Sequence, residues 1–310
     1  METAAGQPDA RGVRRPALGL LAVAVFFIST SAPIIAATTA PALAIAFWRT
    51  ALGALFTAPY TLLRHRRELF SLHRGQWLLC AAGGLLLAAH FATWIPSLRY
   101  TSVASSTALV STQPIWAALL ARAAGVRMSG QVWIGILVSL LGVVLLTGVD
   151  LSLDSRSLFG NALALVGAIL AAAYVTVGER ARRDVSTASY TLVVYSSSAV
   201  ALLPVCLIAG AALGGYSARD WWLILALTLL AQLLGHSLIN ATLRTTSATV
   251  TSMGILFEMP IATVLAAVFL GQWPPLAVLP ALALLLVGIA VVVRAGAGSP
   301  PSAVLAESPS

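Results

Sequence analysis

Apolar runs of about twenty residues follow one another down this chain, separated by short polar turns. Each is as long as a helix rising 1.5 Å per residue must be to cross roughly 30 Å of hydrocarbon. Ten such spans are predicted, at 17–38, 42–63, 76–97, 102–122, 130–149, 159–179, 187–210, 221–242, 248–270 and 275–294. Residues 1–16 are polar and carry Arg11, Arg14 and Arg15 before the first run. That run is longer than the apolar core of a signal peptide and nine more follow it, so it reads as an uncleaved first helix. The tail at 295–310 is rich in Gly, Pro, Ser and Ala and is expected to be disordered.

The pattern also repeats. HFATWIPSLRYTSVASSTALVSTQPIWAALLARAAG from His90 overlays HSLINATLRTTSATVTSMGILFEMPIATVLAAVFLG from His236 at an offset of 146. That register pairs His90 with His236, Pro114 with Pro260, Gly125 with Gly271 and Gly142 with Gly288. The Leu98-Arg99-Tyr100-Thr101-Ser102 and Leu243-Arg244-Thr245-Thr246-Ser247 blocks sit one residue out of it, which a single insertion explains. Only four histidines occur in the chain, so the match marks an internal duplication: 17–149 and 159–294 are two copies of a five-span unit.

Composition agrees with the pattern: 59% of residues are hydrophobic and 9% charged, where a soluble domain carries about 25% charged. The formal charge of +8 comes from arginines between apolar spans rather than on a soluble face, so nucleic acid is not a partner; the lipid bilayer is. Cys80 and Cys206 fall inside spans and read as small buried hydrophobes.

Arginine placement orients the chain, because short cytoplasmic loops hold the excess positive charge. With the amino terminus inside, fourteen arginines lie in inner segments and three, Arg99, Arg156 and Arg219, in outer ones; Arg49 lies within a span. Both termini are then cytoplasmic. Five spans per copy is an odd number, so the second copy enters the bilayer from the opposite face. The fold class predicted is an all-α membrane protein of ten transmembrane helices arranged as two inverted five-helix repeats, an architecture of secondary transporters.

Candidate working residues cluster at the matched prolines. Pro114 and Pro260 should each kink a span near its middle, and interrupted helices at corresponding positions of two halves point to a binding site. Ser105, Ser106, Ser111, Thr112 and Gln113 precede the first proline; Thr249, Thr251, Ser252 and Glu258 precede the second. Single hydroxyls there are expected to bond a carbonyl one turn back. Glu258 is different: a mid-bilayer carboxylate is costly unless paired, neutralised or wet, so it is a candidate to take up and release a proton or to pair with an arginine. Arg49 has three open roles: a snorkelling anchor, a partner of Glu258, or a binder of an anionic solute group.

His90 and His236 lack the companions a metal site needs, and no metal or cofactor is expected. Each reads either as a neutral histidine bonded between helices or as a cavity-facing group that binds solute or moves protons. Trp94 and Asn240 follow them by four residues on the same helical face. Trp48 and Tyr174 are candidates for an aromatic wall or for core packing. Trp77, Trp133, Trp221 and Trp222 stand at span ends, where indole rings anchor helices at the interface.

These residues carry a resemblance. AAHFATWIPSLRYTSVASSTALVSTQPIWAALLA, LLGHSLINATLRTTSATVTSMGILFEMP and the early FWRTALGAL block are similar to the two EamA repeats of the drug/metabolite transporter superfamily, over about residues 17–294. The resemblance implies a ten-helix bundle whose central cavity is lined by spans one, three, four, six, eight and nine. It also implies a small-molecule substrate such as an amino acid, metabolite or drug-like solute, and, for bacterial members, export. Gln113 and Met259, the latter with Glu258 one residue earlier, stand where the family often has an acidic residue before the proline. Val126 and Gln272 replace its glutamate after Leu-Gly. The function predicted is a secondary transporter, not an enzyme, in the cell membrane. An intramembrane enzyme would need a dyad, and adjacent His236 and Ser237 point about 100° apart on a helix; a receptor would need a soluble signalling domain, and none is visible.

Overall fold

The structure is a computed structural model that describes residues 15–125, 127–182, 184–235, 238, 255 and 257–297. Among these there are helices and no strand. In chain order they are α1 (Arg15–Ser29), α2 (Ser31–Ala37), α3 (Ala42–Arg64), α4 (Arg66–Ser71), α5 (Arg74–Ser97), α6 (Val103–Val110) and α7 (Gln113–Ala123). They continue as α8 (Gly130–Leu153), α9 (Arg156–Ala181), α10 (Thr187–Ile208), α11 (Ala218–Leu227), α12 (Glu258–Leu270) and α13 (Leu279–Ala297). Nine stretches among the described residues are long and apolar enough to cross a membrane, and α12 is a shorter apolar helix. They fall on the predicted spans. The polar tails, most of 236–242 at the end of the predicted eighth span, the link after it and most of 248–256 at the start of the predicted ninth lie outside the described residues.

Local chemistry explains the ends. Ser102, Ser186 and Ser217 open α6, α10 and α11, each hydroxyl accepting from the amide three residues on at 3.0, 3.3 and 3.1 Å. Gly125 (φ 92°) follows α7 and Gly271 (φ 68°) ends α12. The duplicated glycines therefore hold the same left-handed stop in both halves, a conformation that side chains resist.

Two spans are cut into separate helices among the described residues. The first is cut at Thr30 into α1 and α2, where Ser29 and Thr30 turn their hydroxyls onto Val25 and Phe27 carbonyls and Pro33 lacks the donor that would reach back to residue 29. The fourth is not kinked at Pro114 as predicted. It is cut just before, at Ser111–Thr112, and the proline sits in the first turn of α7, where a missing N–H costs nothing. Pro260 likewise lies in the first turn of α12.

The contacts between helices map onto themselves when the halves are exchanged. The second span packs on the seventh (α3 with α10), the fourth on the ninth (α6 with α12) and the fifth on the tenth (α8 with α13); the third-to-sixth contact (α5 with α9) is matched by the first-to-eighth. α3 and α10 run antiparallel, because Cys206 near the end of α10 reaches the Leu43 carbonyl at the start of α3, while Thr61 near the end of α3 reaches Ala188 at the start of α10. The fifth and tenth spans meet at backbone distance: a methyl group added at Gly288 would lie 2.5 Å from the Ser139 nitrogen, and one at Gly142 2.8 Å from the Leu285 nitrogen. Outward faces are apolar, with Leu63, Val144 and Ile208 exposed, as lipid-facing residues are.

Candidate functional site

Arg49 lies on α3 and is 1% exposed, so the snorkelling role is excluded. A buried guanidinium must spend its donors inside the protein. Its Nε and Nη2 donate to Gln232 Oε1 at 2.9 and 2.6 Å, and Nη1 donates to Ser31 Oγ at 3.3 Å. Its Cζ lies 4.1 Å from the centroid of the Phe91 ring on α5, within cation–π range.

Interrupted backbone supplies both partners. Ser31 opens α2 just after the cut in the first span. Gln232 lies in a π-helical turn, Thr228–Gly235, into which α11 widens, and such turns recur at functional sites. A guanidinium has only donors, so the amide must face it with oxygen and turn its nitrogen away. That nitrogen, Gln232 Nε2, is buried and has the Tyr195 hydroxyl as its hydrogen-bonding neighbour, without a well-aligned bond to it.

Glu258 is the first residue of α12, half-buried, where unpaired amides at a helix start favour negative charge. α12 packs on α1 and α2. Glu258 and Tyr195 are both within electrostatic reach of Arg49, but Glu258 forms no direct ion pair with it. Pairing with Glu258, one of the three roles open to Arg49, is therefore not a direct contact in this structure. At the 146-residue offset Arg49 corresponds to Tyr195, so the two copies of one position face the same buried group.

His90 is buried and its Nδ1 lies 2.9 Å from the Gly167 carbonyl of α9. A carbonyl only accepts, so Nδ1 carries the hydrogen and the ring is a bridge between the third and sixth spans. Trp94 stacks on it with centroids 5.6 Å apart and planes 6° from parallel, and its own Nε1 is buried without a partner. Tyr174 is partly buried against the core rather than forming an open wall, and Gln113 is half-buried at the start of α7. Trp48 donates to the Leu213 carbonyl and packs edge-on against Trp221, which is thus a packing partner rather than a free interfacial anchor. His236, Asn240, Arg244, Thr249, Thr251, Ser252 and Val126 lie outside the described residues.

The hydroxyls ahead of Pro114 mostly serve structure. Ser111 bonds the Thr107 carbonyl, Thr112 bonds that of Leu109, and Ser106 meets Ser97 at 2.7 Å. Ser105 donates to the buried Asp150, whose other oxygen takes Asn161 at 2.8 Å. No group of three or more metal-ligating side chains occurs among the described residues.

Sequence reasoning missed Gln232, Ser31, Phe91 and Tyr195. Gln232 carried a usable signal, a lone amide in the apolar run LLAQLLG.

The model of the EamA-like transporter family matches residues 15–148 and again residues 158–294. A solved crystal structure that is 19% identical superposes with a TM-score of 0.62 over 91% of this chain and 99% of its own, which shows a shared fold. No curated protein matches the chain. The two matched stretches take in most of the sequence, and the chain belongs to the EamA-like transporter family.

Proposed function

We propose that this EamA-like transporter is a secondary transporter that exports a small solute, an amino acid or similarly sized metabolite, by alternating access. In this reading ten spans form two inverted five-helix units, residues 17–149 and 159–294, in the cell membrane with both termini cytoplasmic. The observation that carries it is the buried Arg49–Gln232 pair, held where the interrupted first span, the π-turn of the eighth and the start of α12 converge. Broken helices at mid-depth are tolerated where they line a cavity, and they mark transporter sites.

The solute's acceptor group, a carboxylate or carbonyl, meets Gln232 Nε2 between the Arg49 charge and the Tyr195 hydroxyl. Glu258 supplies the opposite pole, for a cationic group on the solute or for a coupling proton. His90 and Trp94 form the wall on the third span; Tyr174, Gln113, His236 and Asn240 complete the candidate pathway, and Pro114 and Pro260 fix the helix breaks.

Flux in proteoliposomes tests this, with a panel of amino acids and cationic drugs under imposed pH gradients. Wild type should carry at least one solute faster than empty vesicles, and Glu258→Gln should lose the gradient dependence. No solute faster than the blank overturns the transport reading; equal gradient dependence in both proteins removes Glu258 from coupling.

A further inference from the structure

The seam between α3 and α10 is tied at both ends by carboxylates, one reaching from each half. At the start of α3 the Thr39 amide donates to Asp220 Oδ1 at 2.8 Å and the Thr39 hydroxyl to Oδ2 at 2.6 Å. Asp220 stands in the first turn of α11, in the second half, and is steadied by the Ser217 hydroxyl at 3.0 Å. At the start of α10 the Ser186 amide donates to Glu68 Oε1 at 2.6 Å and the Ser189 hydroxyl to Oε2 at 3.1 Å. Glu68 stands on α4, in the first half.

These are one device used twice. The 146-residue offset places Ala40 opposite Ser186, so the two captured amides differ by one position from equivalence. Both carboxylates come from the stretch joining the second span of a half to its third. Each takes an amide at the threshold of the other half's second span, with a hydroxyl from the same threshold on its second oxygen. The carboxylates themselves are not equivalent in the offset, so the shared element is the captured backbone. α3 and α10 are antiparallel and α3 has 23 residues, so the two ties lie roughly 35 Å apart, at opposite ends of the bundle.

A tie that joins the halves at one end opposes their separation at that end only. Anionic hydrogen bonds of this kind are stronger than neutral ones, and the threshold amides lose a partner when they break. Both ties are closed together in this structure. We infer that the Asp220–Thr39 and Glu68–Ser186 contacts are the two latches of the transport cycle, each released only when its own end opens. This rests on the alternating-access reading, but it is tested without any transported solute.

The experiment uses the full chain in vesicles of defined orientation, in a Cys80→Ala, Cys206→Ala background. Single reporters are placed one turn inside each end of α3, Ile45→Cys and Thr61→Cys, at positions with no exposure. Labelling is by a membrane-impermeant maleimide applied to each face in turn. Asp220→Asn should raise the rate at Ile45→Cys several-fold and leave Thr61→Cys unchanged; Glu68→Gln should do the reverse. Ser189→Ala, which keeps the carboxylate and removes one of its two bonds across the seam, should act as Glu68→Gln does but more weakly. Size exclusion and thermal unfolding confirm that each variant is folded, and Asp220→Glu, which keeps both carboxylate oxygens as acceptors where Asp220→Asn turns one into a donor, should return the first reporter toward the parent rate. Reporters that rise together, or that stay flat in folded variants, overturn the latch assignment. A protein that carries no solute yet labels one end at a time keeps the latches and loses only the transport reading.

Discussion

The third and eighth spans are two copies of one design and have become different objects. The third, α5, is an unbroken 24-residue helix whose His90 is fixed to the sixth span. The eighth starts as α11 and widens after Leu227 into a π-turn that aims Gln232 at Arg49. The offset sets Gln232 against Leu86, and Arg49 against Tyr195, so the buried charge and its amide each occur in one copy only. The duplication preserved helix stops, packing pairs and thresholds, while polar chemistry gathered where the copies diverge. A site that breaks the symmetry can hold a solute whose two ends differ.

Making the copies alike should undo this. Gln232→Leu gives the eighth span the residue of the third and strands a buried guanidinium; it should cost about 3 kcal/mol of stability, read by thermal unfolding in detergent, and abolish flux. Adding Arg49→Met should recover most of that loss, to within about 1 kcal/mol of the parent, while flux stays absent, because replacing both partners by apolar groups leaves nothing unpaired. If the double variant is as unstable as the single one, the pair is not the unit described here. The reverse change, Leu86→Gln, places an amide in the regular third span with no partner; it should cost about 1 kcal/mol and leave flux within a few-fold of wild type. Tyr195→Phe tests the other unequal position and should cost less than about 1 kcal/mol, altering solute affinity more than the maximal rate.

The smallest contrast is set by acid, at the latch carried by the first half. Burial works to raise the Glu68 carboxyl, but bonds from Ser186, Ser189 and His65 outweigh it and hold the group below the ordinary glutamate value. A depressed folded value means that its stabilisation is complete above the ordinary range and disappears as pH falls through the lower, folded value. Wild type should therefore lose a small increment of stability over that window, and Glu68→Gln should not; equal acid profiles for the two would show that the carboxylate is not held as described.

Much of this was legible in the pattern of residues. Spans of twenty apolar residues leave little choice of fold, and matched His, Pro and Gly positions revealed the duplication before any packing was known. Arg49 and Glu258 were visible because charge within a span is anomalous. Gln232 escaped because its importance depends on the π-turn, and helical periodicity carries no trace of one extra residue in a turn. The latches escaped for the opposite reason: Glu68 and Asp220 sit at span ends, where a carboxylate is unremarkable until its partner across the seam is known. The cut at Thr30 was concealed by an apolar run that reads as continuous.

The glycine contact between the fifth and tenth spans bears on how the halves can move. Where backbones meet so closely that a single methyl group would collide, one helix cannot slide past the other without first pulling apart. Rotation about that line remains available, as a door turns on its hinge, and small angles there become large displacements at the distant thresholds of α3 and α10.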